Sequence, residues 1–284
     1  MIFESLFPAT KACNALEVSK SAYYKWKNKE PVANTDKDIL PVINDIAREF
    51  PKYGYRRITK ELHRRGFIVN HKKVYKIQKE NNLLVRRKRR FRPVTTQSDH
   101  SLAVYPNLIK NLEIVRMNQV WAADITYIWL TGGFVYLAAI LDLFSRKCIG
   151  WELSRNVDAN LTLAALNMAI KNRKHFGFSE LIHHSDRGVQ YASQDYVKML
   201  KLHNIRISMS RKGNVYDNAY LESFMKTLKI EEVYIKEYEN FEDAYNNIMQ
   251  FIEIVYNEKR LHSGIDYKPP VEFENEVLNT ATLS

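Results

Sequence analysis

The chain of 284 residues has only two cysteines, Cys13 and Cys148, and neither belongs to a C-x-x-C pair. This scarcity excludes a disulfide framework and a cysteine-based zinc finger, and it is typical of a reducing compartment. Long apolar runs are also missing. The longest is the eight-residue stretch 134–141, whereas a membrane-spanning helix needs about 20 residues. Because the first ten residues carry Glu4 and no basic leader, we expect a cytoplasmic protein with neither a secretory signal nor a membrane partner.

Positive charge is abundant, and it is concentrated in one segment. Of the net charge of +11, residues 52–92 contribute +14, from sixteen lysines and arginines against two glutamates, which leaves −3 for the rest of the chain. Such a concentration predicts a nucleic-acid-binding surface. A solvated charged face is the competing interpretation, but such faces usually mix both signs. Five of the basic residues are consecutive: Arg86, Arg87, Lys88, Arg89 and Arg90.

Helical periodicity dominates the first third of the chain. Apolar spacing predicts helices over 36–50, 56–65 and 71–81, with Asn70 capping the third, and a further short helix within 18–27. Two short basic helices around a glycine-containing turn are typical of a helix-turn-helix. The polar stretch that follows the basic run has no periodicity and indicates a linker. The basic residues of these helices that we expect to contact DNA are Arg56, Arg57, Lys72, Lys73 and Lys76.

Strand-like segments begin near residue 112. Segments 120–129, 134–142 and 147–153 predict a three-stranded meander, and helical and strand-like segments then alternate, with Ser193 as a possible N-cap. This order predicts an α/β fold, a mixed sheet with flanking helices, preceded by a small all-α domain. The later segments are helices at 158–175, 193–202, 218–230 and 241–256 and strands at 181–186 and 205–209. The expected divisions are 1–35 (helical), 36–85 (helix-turn-helix), 86–111 (basic linker), 112–275 (α/β domain) and 276–284 (tail).

The stretch "HHSDRGVQY", residues 183–191, places two histidines, a serine and an aspartate after a strand-like pair of apolar residues. It is compatible with a zinc site, a hydrolase nucleophile or a carboxylate that holds a divalent cation. No second His/Cys pair lies at ligand spacing, which disfavours zinc. The serine lacks a G-x-S-x-G turn, which disfavours a hydrolase. Asp186 as a cation ligand remains, with His183, His184 and Ser185 shaping the strand end or touching substrate.

Two other acids are candidates to join Asp186. Asp124 lies in the apolar segment "VWAADITYIW", where an unpartnered carboxylate is costly. Glu222 precedes Lys226 and Lys229 by four and seven residues, so a helix would place all three on one face. An ordinary glutamate–lysine ion pair is the alternative for Glu222. Asp142 also lies in an apolar segment, but the turn after it offers a cap or an ion pair, so we expect a structural role there.

The spacing of the three acids is distinctive: 61 residues separate Asp124 from Asp186 and 35 separate Asp186 from Glu222, with Lys229 seven residues beyond. This pattern resembles the D-D-E triad of transposases and retroviral-type integrases. Seven motifs in order resemble the second-reading-frame product of bacterial insertion-sequence-three-type transposases from about residue 18 to 273. They are "YPKYGYRRITKEL", "NHKKVYKIQKENNL", "WAADITYI", "LDLFSRKCIGW", "HHSDRGVQYAS", "GNVYDNAYLESFMKTLK" and "YNEKRLHSGIDYKPPVEF".

The resemblance implies a ribonuclease-H-like catalytic domain that binds two Mg²⁺ or Mn²⁺ ions and transfers phosphoryl groups on DNA. Asp124, Asp186 and Glu222 would then be the catalytic metal ligands, and Asn218, Lys226 and Lys229 would position the DNA. Carboxylates suit this role because hard divalent cations prefer oxygen ligands. The zinc module of retroviral integrases is absent from the sequence, and the basic helical region takes its place.

The implied partners are the terminal inverted repeats of the element, target DNA and the first-reading-frame protein of the same element. The resemblance also implies a multimer on DNA in a bacterial, nucleoid-associated setting. In this family the active enzyme is commonly a fusion of both reading frames. Two alternatives therefore stay open: a DNA-binding regulatory partner that is inactive alone, and a nuclease that cleaves without joining.

Overall fold

The computed structural model describes residue 13 and residues 18–27, 35–85, 103–130, 132–210 and 219–282. The chain divides into two compact units, Met1–Val85 and Arg86–Ser284. The predicted basic run 86–90 and Asn218 lie outside the described residues. No helix within the described ranges is long and apolar enough to cross a membrane.

The first unit consists of short helices around a small apolar core. Asn70 caps α4 (His71–Glu80), as predicted, because its side chain accepts a hydrogen bond from the amide of Lys72. The turn between α3 (Tyr55–Arg64) and α4 contains Gly66 with a φ of +88°, a conformation that favours glycine. Buried Ile58, Leu62 and Val74 pack the two helices together. The helices are α1 (Lys20–Lys27), α2 (Thr35–Glu49), α3 (Tyr55–Arg64) and α4 (His71–Glu80).

The second unit is built on a five-stranded mixed sheet with the spatial order β3-β2-β1-β4-β5. The first three strands form the predicted antiparallel meander, and β4 and β5 run parallel to β1. The sequence-based fold class, a mixed sheet with flanking helices after an all-α unit, is therefore confirmed. The strands are β1 (Val120–Leu130), β2 (Gly133–Asp142), β3 (Cys148–Ser154), β4 (Ile182–Ser185) and β5 (Arg206–Met209).

Each face of the sheet carries its own apolar core. On one face, side chains such as Ala122 and Ile128 pack with α7 (Ala219–Leu228) and α8 (Phe241–Gln250). On the other, side chains such as Trp121 pack with α5 (Ala159–Arg173) and α6 (Gln194–Leu202). Helix α5 lies very close to β3, because a Cβ at Gly150 would fall 2.3 Å from the carbonyl oxygen of Ala165.

Three features differ from the sequence-based predictions. The predicted helices 218–230 and 241–256 each continue as a π-helix, over Lys229–Val233 and Phe251–Lys259. Helix α9 (Pro270–Thr282) was not predicted, and it runs across residue 275, where we expected the α/β domain to end. Ser193 occupies the N-cap position of α6, as predicted, but its hydroxyl donates to the carbonyl of Gln190 and does not bond to the helix amides.

Candidate active site

Asp124 lies in the middle of β1, the strand that pairs with β2 on one side and with β4 on the other. Most of the residues around it in this strand are apolar. Its carboxylate is partly buried and accepts a hydrogen bond of 2.9 Å from the amide of Ile125. Burial raises the pKa of the Asp124 carboxyl to about 7, and the negative charge of Asp186 adds to the effect. Because burial disfavours the ionised form and a second carboxylate repels it, this position favours a cation nearby.

Asp186 follows β4 directly, at the carboxyl end of a strand that runs parallel to β1. Its Oδ1 accepts a hydrogen bond of 2.9 Å from the amide of Gly188. A Cβ at Gly188 would lie 3.0 Å from this same oxygen, so any larger residue there would have to displace the carboxylate by a few tenths of an ångström. In parallel sheets, strand ends gather functional groups, and the turn leaves Asp186 partly exposed.

Glu222 lies in the first turn of α7, on its exposed side. Its negative charge contributes to the raised pKa of Asp124, whereas Lys229 acts on Asp124 in the opposite direction. Lys229 is half-buried and begins the π-helix, with its ammonium nitrogen 4.3 Å from the ring centroid of Tyr127. Lys226 is exposed.

The structure thus brings two predicted carboxylates, Asp186 at the end of β4 and Glu222 at the start of α7, close enough to Asp124 in β1 for their charges to act on it. Within the described residues, no three His, Cys, Asp or Glu side chains are gathered into a ready-made metal site. The donors fit Mg²⁺ or Mn²⁺ by chemistry, since all are oxygens. A divalent cation would also relieve the repulsion that raises the pKa of Asp124.

The two histidines of the motif are buried and have separate partners. His183 Nε2 lies 2.9 Å from the hydroxyl oxygen of Tyr196, and His184 Nδ1 lies 2.8 Å from the hydroxyl oxygen of Ser208. Burial lowers the pKa of His183 to about 3, and His184 adds to the effect. These contacts favour the first of the two roles considered for the histidines, shaping the strand end, over contact with substrate. They give no support to a zinc site.

Tyr191, the last residue of the motif, is a neighbour of the carboxylates that sequence reasoning missed. It is buried, and the charges of Asp124 and Asp186 both act on its hydroxyl. That hydroxyl has no hydrogen-bond partner among the described residues. Its position could have indicated this, because Tyr191 follows Asp186 by only five residues in the turn after the strand.

Asp142 has the structural role that the sequence indicated. Its buried carboxylate accepts hydrogen bonds from the amides of Asn118, Phe144 and Ser145, at 2.7, 2.9 and 3.3 Å. These bonds hold the turn between β2 and β3, so Asp142 is a turn cap.

The predicted DNA-contacting residues of the first unit differ in exposure. Arg56, Lys72 and Lys76 are exposed, whereas Arg57 and Lys73 are half-buried. The guanidinium of Arg57 lies 5.6 Å from the ring centroid of Tyr53, and Lys76 is 3.8 Å from Glu80. Arg56, Lys72 and Lys76 are therefore open to solvent, whereas Arg57 is partly covered by its contact with Tyr53.

Family models match both units of the chain. Residues 34–91 match an HTH-like domain, and residues 115–215 and 203–270 match two models of an integrase core domain. The chain is 36% identical, over 96% of its own length and 96% of the relative's, to transposase InsF for insertion sequence IS3A of Escherichia coli (strain K12). It is also 37% identical to an uncharacterized 31 kDa protein of insertion element IS600 from Shigella sonnei, over 93% of this chain and 97% of that one.

The chain belongs to the IS3 family of transposases. The resemblance drawn from its motifs is thereby confirmed, as is the assignment of an integrase-type, ribonuclease-H-like core preceded by an HTH-like domain. Solved structures similar to this IS3-family chain include the catalytic core domain of BIV integrase, at 17% identity and a TM-score of 0.42, over 58% of this chain and 99% of that one. Another is the HTLV-2 integrase catalytic core domain in complex with magnesium, at 17% identity and a TM-score of 0.41, over 55% of this chain and 94% of that one.

Proposed function

We propose that the protein cuts DNA at the ends of an insertion element and joins the freed 3′ ends to target DNA, with Mg²⁺ or Mn²⁺ as cofactor. The observation that supports the proposal is that the charges of Asp186 and Glu222 both act on the carboxyl of Asp124, in a chain of the IS3 family. These three carboxylates would hold the cations. Two such ions, when bound, would activate the attacking oxygen and stabilise the leaving one.

The reaction has two phosphoryl transfers. Water first attacks the phosphodiester at the element end, the bond from phosphorus to the element's 3′ oxygen breaks, and that oxygen becomes a 3′-hydroxyl. The 3′-hydroxyl oxygen then attacks a target phosphodiester, and the 3′ oxygen of the target leaves. No side chain becomes bonded to DNA. Lys229, which lies near Asp124, would hold the phosphate backbone beside the carboxylates, with Lys226 and Asn218 as further contacts.

The first unit and the basic run would hold the element's terminal repeats. Arg56, Lys72 and Lys76 support this role through their exposure, and Arg57 and Lys73 would add charge from half-buried positions. Neutralising the run 86–90 should weaken binding and make its salt dependence shallower, by about one unit of slope for each lost phosphate contact. An unchanged slope would show that the run is a solvated tail.

We further propose that the chain acts as a multimer on paired DNA ends, together with the first-reading-frame protein, at the nucleoid of a bacterial cell. The test is a strand-transfer assay with labelled element ends and Mg²⁺, with and without the first-frame protein. Asp124→Asn should keep end binding and give no joined product, whereas the exposed acid control Asp195→Asn should join at the wild-type level.

The outcomes separate the alternatives. Joining by Asp124→Asn at the wild-type level would reject the carboxylate assignment. Nicks without joined product, from the wild-type chain with its partner, would indicate a nuclease that only cleaves. Binding without any cutting, even with the partner present, would indicate a regulatory DNA-binding protein.

Cation binding has a readout that does not depend on activity. A ligand present at a hundred times its dissociation constant stabilises the folded state by about 2.7 kcal/mol. Mg²⁺ should therefore raise the melting temperature of the wild-type chain and of Asp195→Asn, but not that of Asp124→Asn.

A further inference from the structure

Three aromatic side chains form a continuous patch at the end of the β1–β2 hairpin. Trp129 and Phe134 are cross-strand partners with ring centroids 4.8 Å apart. Tyr127, two residues before Trp129, meets the same Phe134 ring edge to face at 5.4 Å. We call Tyr127, Trp129 and Phe134 the hairpin patch.

The hairpin patch is open to solvent where aromatic residues are normally covered. Trp129 is 62% exposed and Phe134 is 49% exposed, although both belong to strands of the central sheet. Neither belongs to the two apolar cores, so folding alone does not account for them. Because the rings meet at interplanar angles of 88° and 75°, they do not form one flat surface, but each exposed ring can offer its own face for stacking.

Lys229 links the hairpin patch to the carboxylates around the edge of β1, because Tyr127 and Trp129 lie three and five residues from Asp124 and their side chains therefore project from the opposite face of the strand. The ammonium of Lys229 lies 4.3 Å from the ring centroid of Tyr127, and its charge also reaches Asp124. A strand advances about 3.3 Å per residue, so Tyr127 and Trp129 lie about 10 and 17 Å from Asp124 along β1. Since nucleotides follow one another at about 3.4 Å along a strand of duplex DNA, that span corresponds to about three to five nucleotides.

Charge favours DNA over a protein as the occupant. A cation held against one edge of the aromatic surface attracts a phosphate backbone and strengthens stacking of electron-rich rings. Lys229 thus places positive charge beside the aromatic rings, a combination that proteins use to bind unpaired nucleotides.

We propose that the hairpin patch stacks against an unpaired base of the strand held at the carboxylates, about three to five nucleotides from the phosphate that reacts. This proposal rests on the proposed function, because the carboxylates determine where the strand lies. Trp129 supplies the most exposed ring, and Phe134 holds that ring in place. Lys229 would bind the phosphate backbone between the stacked base and the carboxylates.

The test compares two DNA probes with the full-length chain in Mg²⁺: a blunt duplex, and the same duplex ending in a five-nucleotide unpaired extension. Stacking on an aromatic side chain contributes about 1–3 kcal/mol per base, and 1.4 kcal/mol is tenfold in affinity. Trp129→Leu and Phe134→Leu should therefore bind the extended probe about tenfold more weakly and the blunt probe nearly as the wild type does. Trp129→Phe, which keeps a ring, should stay within about threefold on both probes.

Leu202→Ala is the matched control, because Leu202 is 72% exposed at the end of α6 and belongs to neither apolar core. Its binding should equal that of the wild type on both probes. A 2-aminopurine base placed three to five nucleotides from the junction should lose fluorescence on binding to the wild-type chain and not to Trp129→Leu.

Three results would overturn the proposal: leucine variants that bind both probes as the wild type does, equal weakening on both probes, or a change of oligomeric state without DNA. The last would assign the patch to a contact between copies of the chain. Failure of the proposed function gives a different pattern, in which Mg²⁺ stabilises neither the wild type nor Asp124→Asn and no DNA is cut. Normal cutting and Mg²⁺ response with unaffected leucine variants would reject the patch alone.

Discussion

The guanidinium carbon of Arg146 lies 3.5 Å from the ring centroid of Tyr220. Arg146 belongs to the turn after β2 and has a φ of +65°, while Tyr220 is the second residue of α7, two before Glu222. The contact therefore joins the turn capped by Asp142 to the helix that carries the third acid. We infer that it positions the first turn of α7.

Replacing Tyr220 with leucine should lower the affinity for Mg²⁺ about two- to fivefold, since an exposed cation–π contact contributes about 0.5–1 kcal/mol. Tyr220→Phe keeps the ring and should bind Mg²⁺ as the wild type does. A titration of melting temperature against Mg²⁺ measures both variants. Equal affinity in the leucine variant would show that the contact does not position Glu222.

Tyr191 and Tyr196 are buried tyrosines whose ring centroids lie 5.4 Å apart. Their hydroxyls differ in hydrogen bonding. The Tyr191 hydroxyl has no partner among the described residues, whereas that of Tyr196 is 2.9 Å from His183 Nε2. A buried polar group without a partner costs about 1–3 kcal/mol. Tyr191→Phe should therefore raise the free energy of unfolding by about 1 kcal/mol, and Tyr196→Phe should lower it by a similar amount. Denaturant unfolding of the two variants checks this, and destabilisation by Tyr191→Phe would contradict it.

His183 should make stability depend on pH. Burial, with His184, lowers its pKa to about 3 from an ordinary value of 6.5. Because the folded-state pKa is lower than the unfolded one, the stability that neutral His183 contributes is complete above pH 6.5 and is lost as the pH falls toward 3. Each unit of pH below 6.5 should cost about 1.4 kcal/mol from this group. Subtracting the profile of His183→Gln, which does not titrate, isolates this slope between pH 5 and 6.5. Parallel profiles would contradict the prediction.

Glu274 ties α9 to the body of the second unit. Its buried carboxylate pairs with Arg173, accepts a hydrogen bond from Ser145 and lies 3.1 Å from Lys147. Burial acts to raise the pKa of Glu274, but these partners outweigh it, so the net pKa lies below its ordinary value. Since the folded-state pKa is lowered, the stability it contributes is present above pH 4.5 and lost as the pH falls through the lowered value.

Glu274→Gln should destabilise the protein at pH 7 by about 3–5 kcal/mol, because it leaves Arg173 buried without its counter-ion. The control is Glu276→Gln, two residues along the same helix, where only an exposed pair with Lys268 is broken and little change in stability is expected, because exposed ion pairs contribute little. Denaturant midpoints at pH 7 and pH 4 measure both. Equal effects of the two variants at pH 7 would show that the buried pair does not anchor α9.

Features that depend on local sequence patterns were predicted correctly. Alternating apolar residues and the turns between them indicated the antiparallel meander, Asn70 indicated a helix start, and the polar turn after Asp142 indicated a cap. That Asp124 lies near Asp186 was predicted from the family resemblance and not from any local pattern. The physical reason is that β1 and β4 pair in parallel, so the two acids lie toward the same end of the sheet.

Other features depend on tertiary contacts that no local pattern carries. The π-helix that begins at Lys229 and the contact of this side chain with Tyr127 were not predicted from the sequence, although helical spacing placed Lys229 on the face of Glu222. Helix α9 is anchored by Glu274 to Arg173, a partner 101 residues earlier in the chain. The hydroxyl of Ser193 donates to the carbonyl of Gln190 and not to the helix, because the preceding turn brings that carbonyl within hydrogen-bond distance.

The outer edge of the sheet has a consequence for assembly. The side chain of Asn257 bonds to both the amide and the carbonyl of Cys148, at 3.0 and 2.9 Å, and Asn172 donates to the carbonyl of Ile149. Backbone groups that would otherwise template another strand are thus already satisfied along this part of β3. This part of β3 is therefore a poor place for two copies of the chain to join their sheets into one continuous sheet.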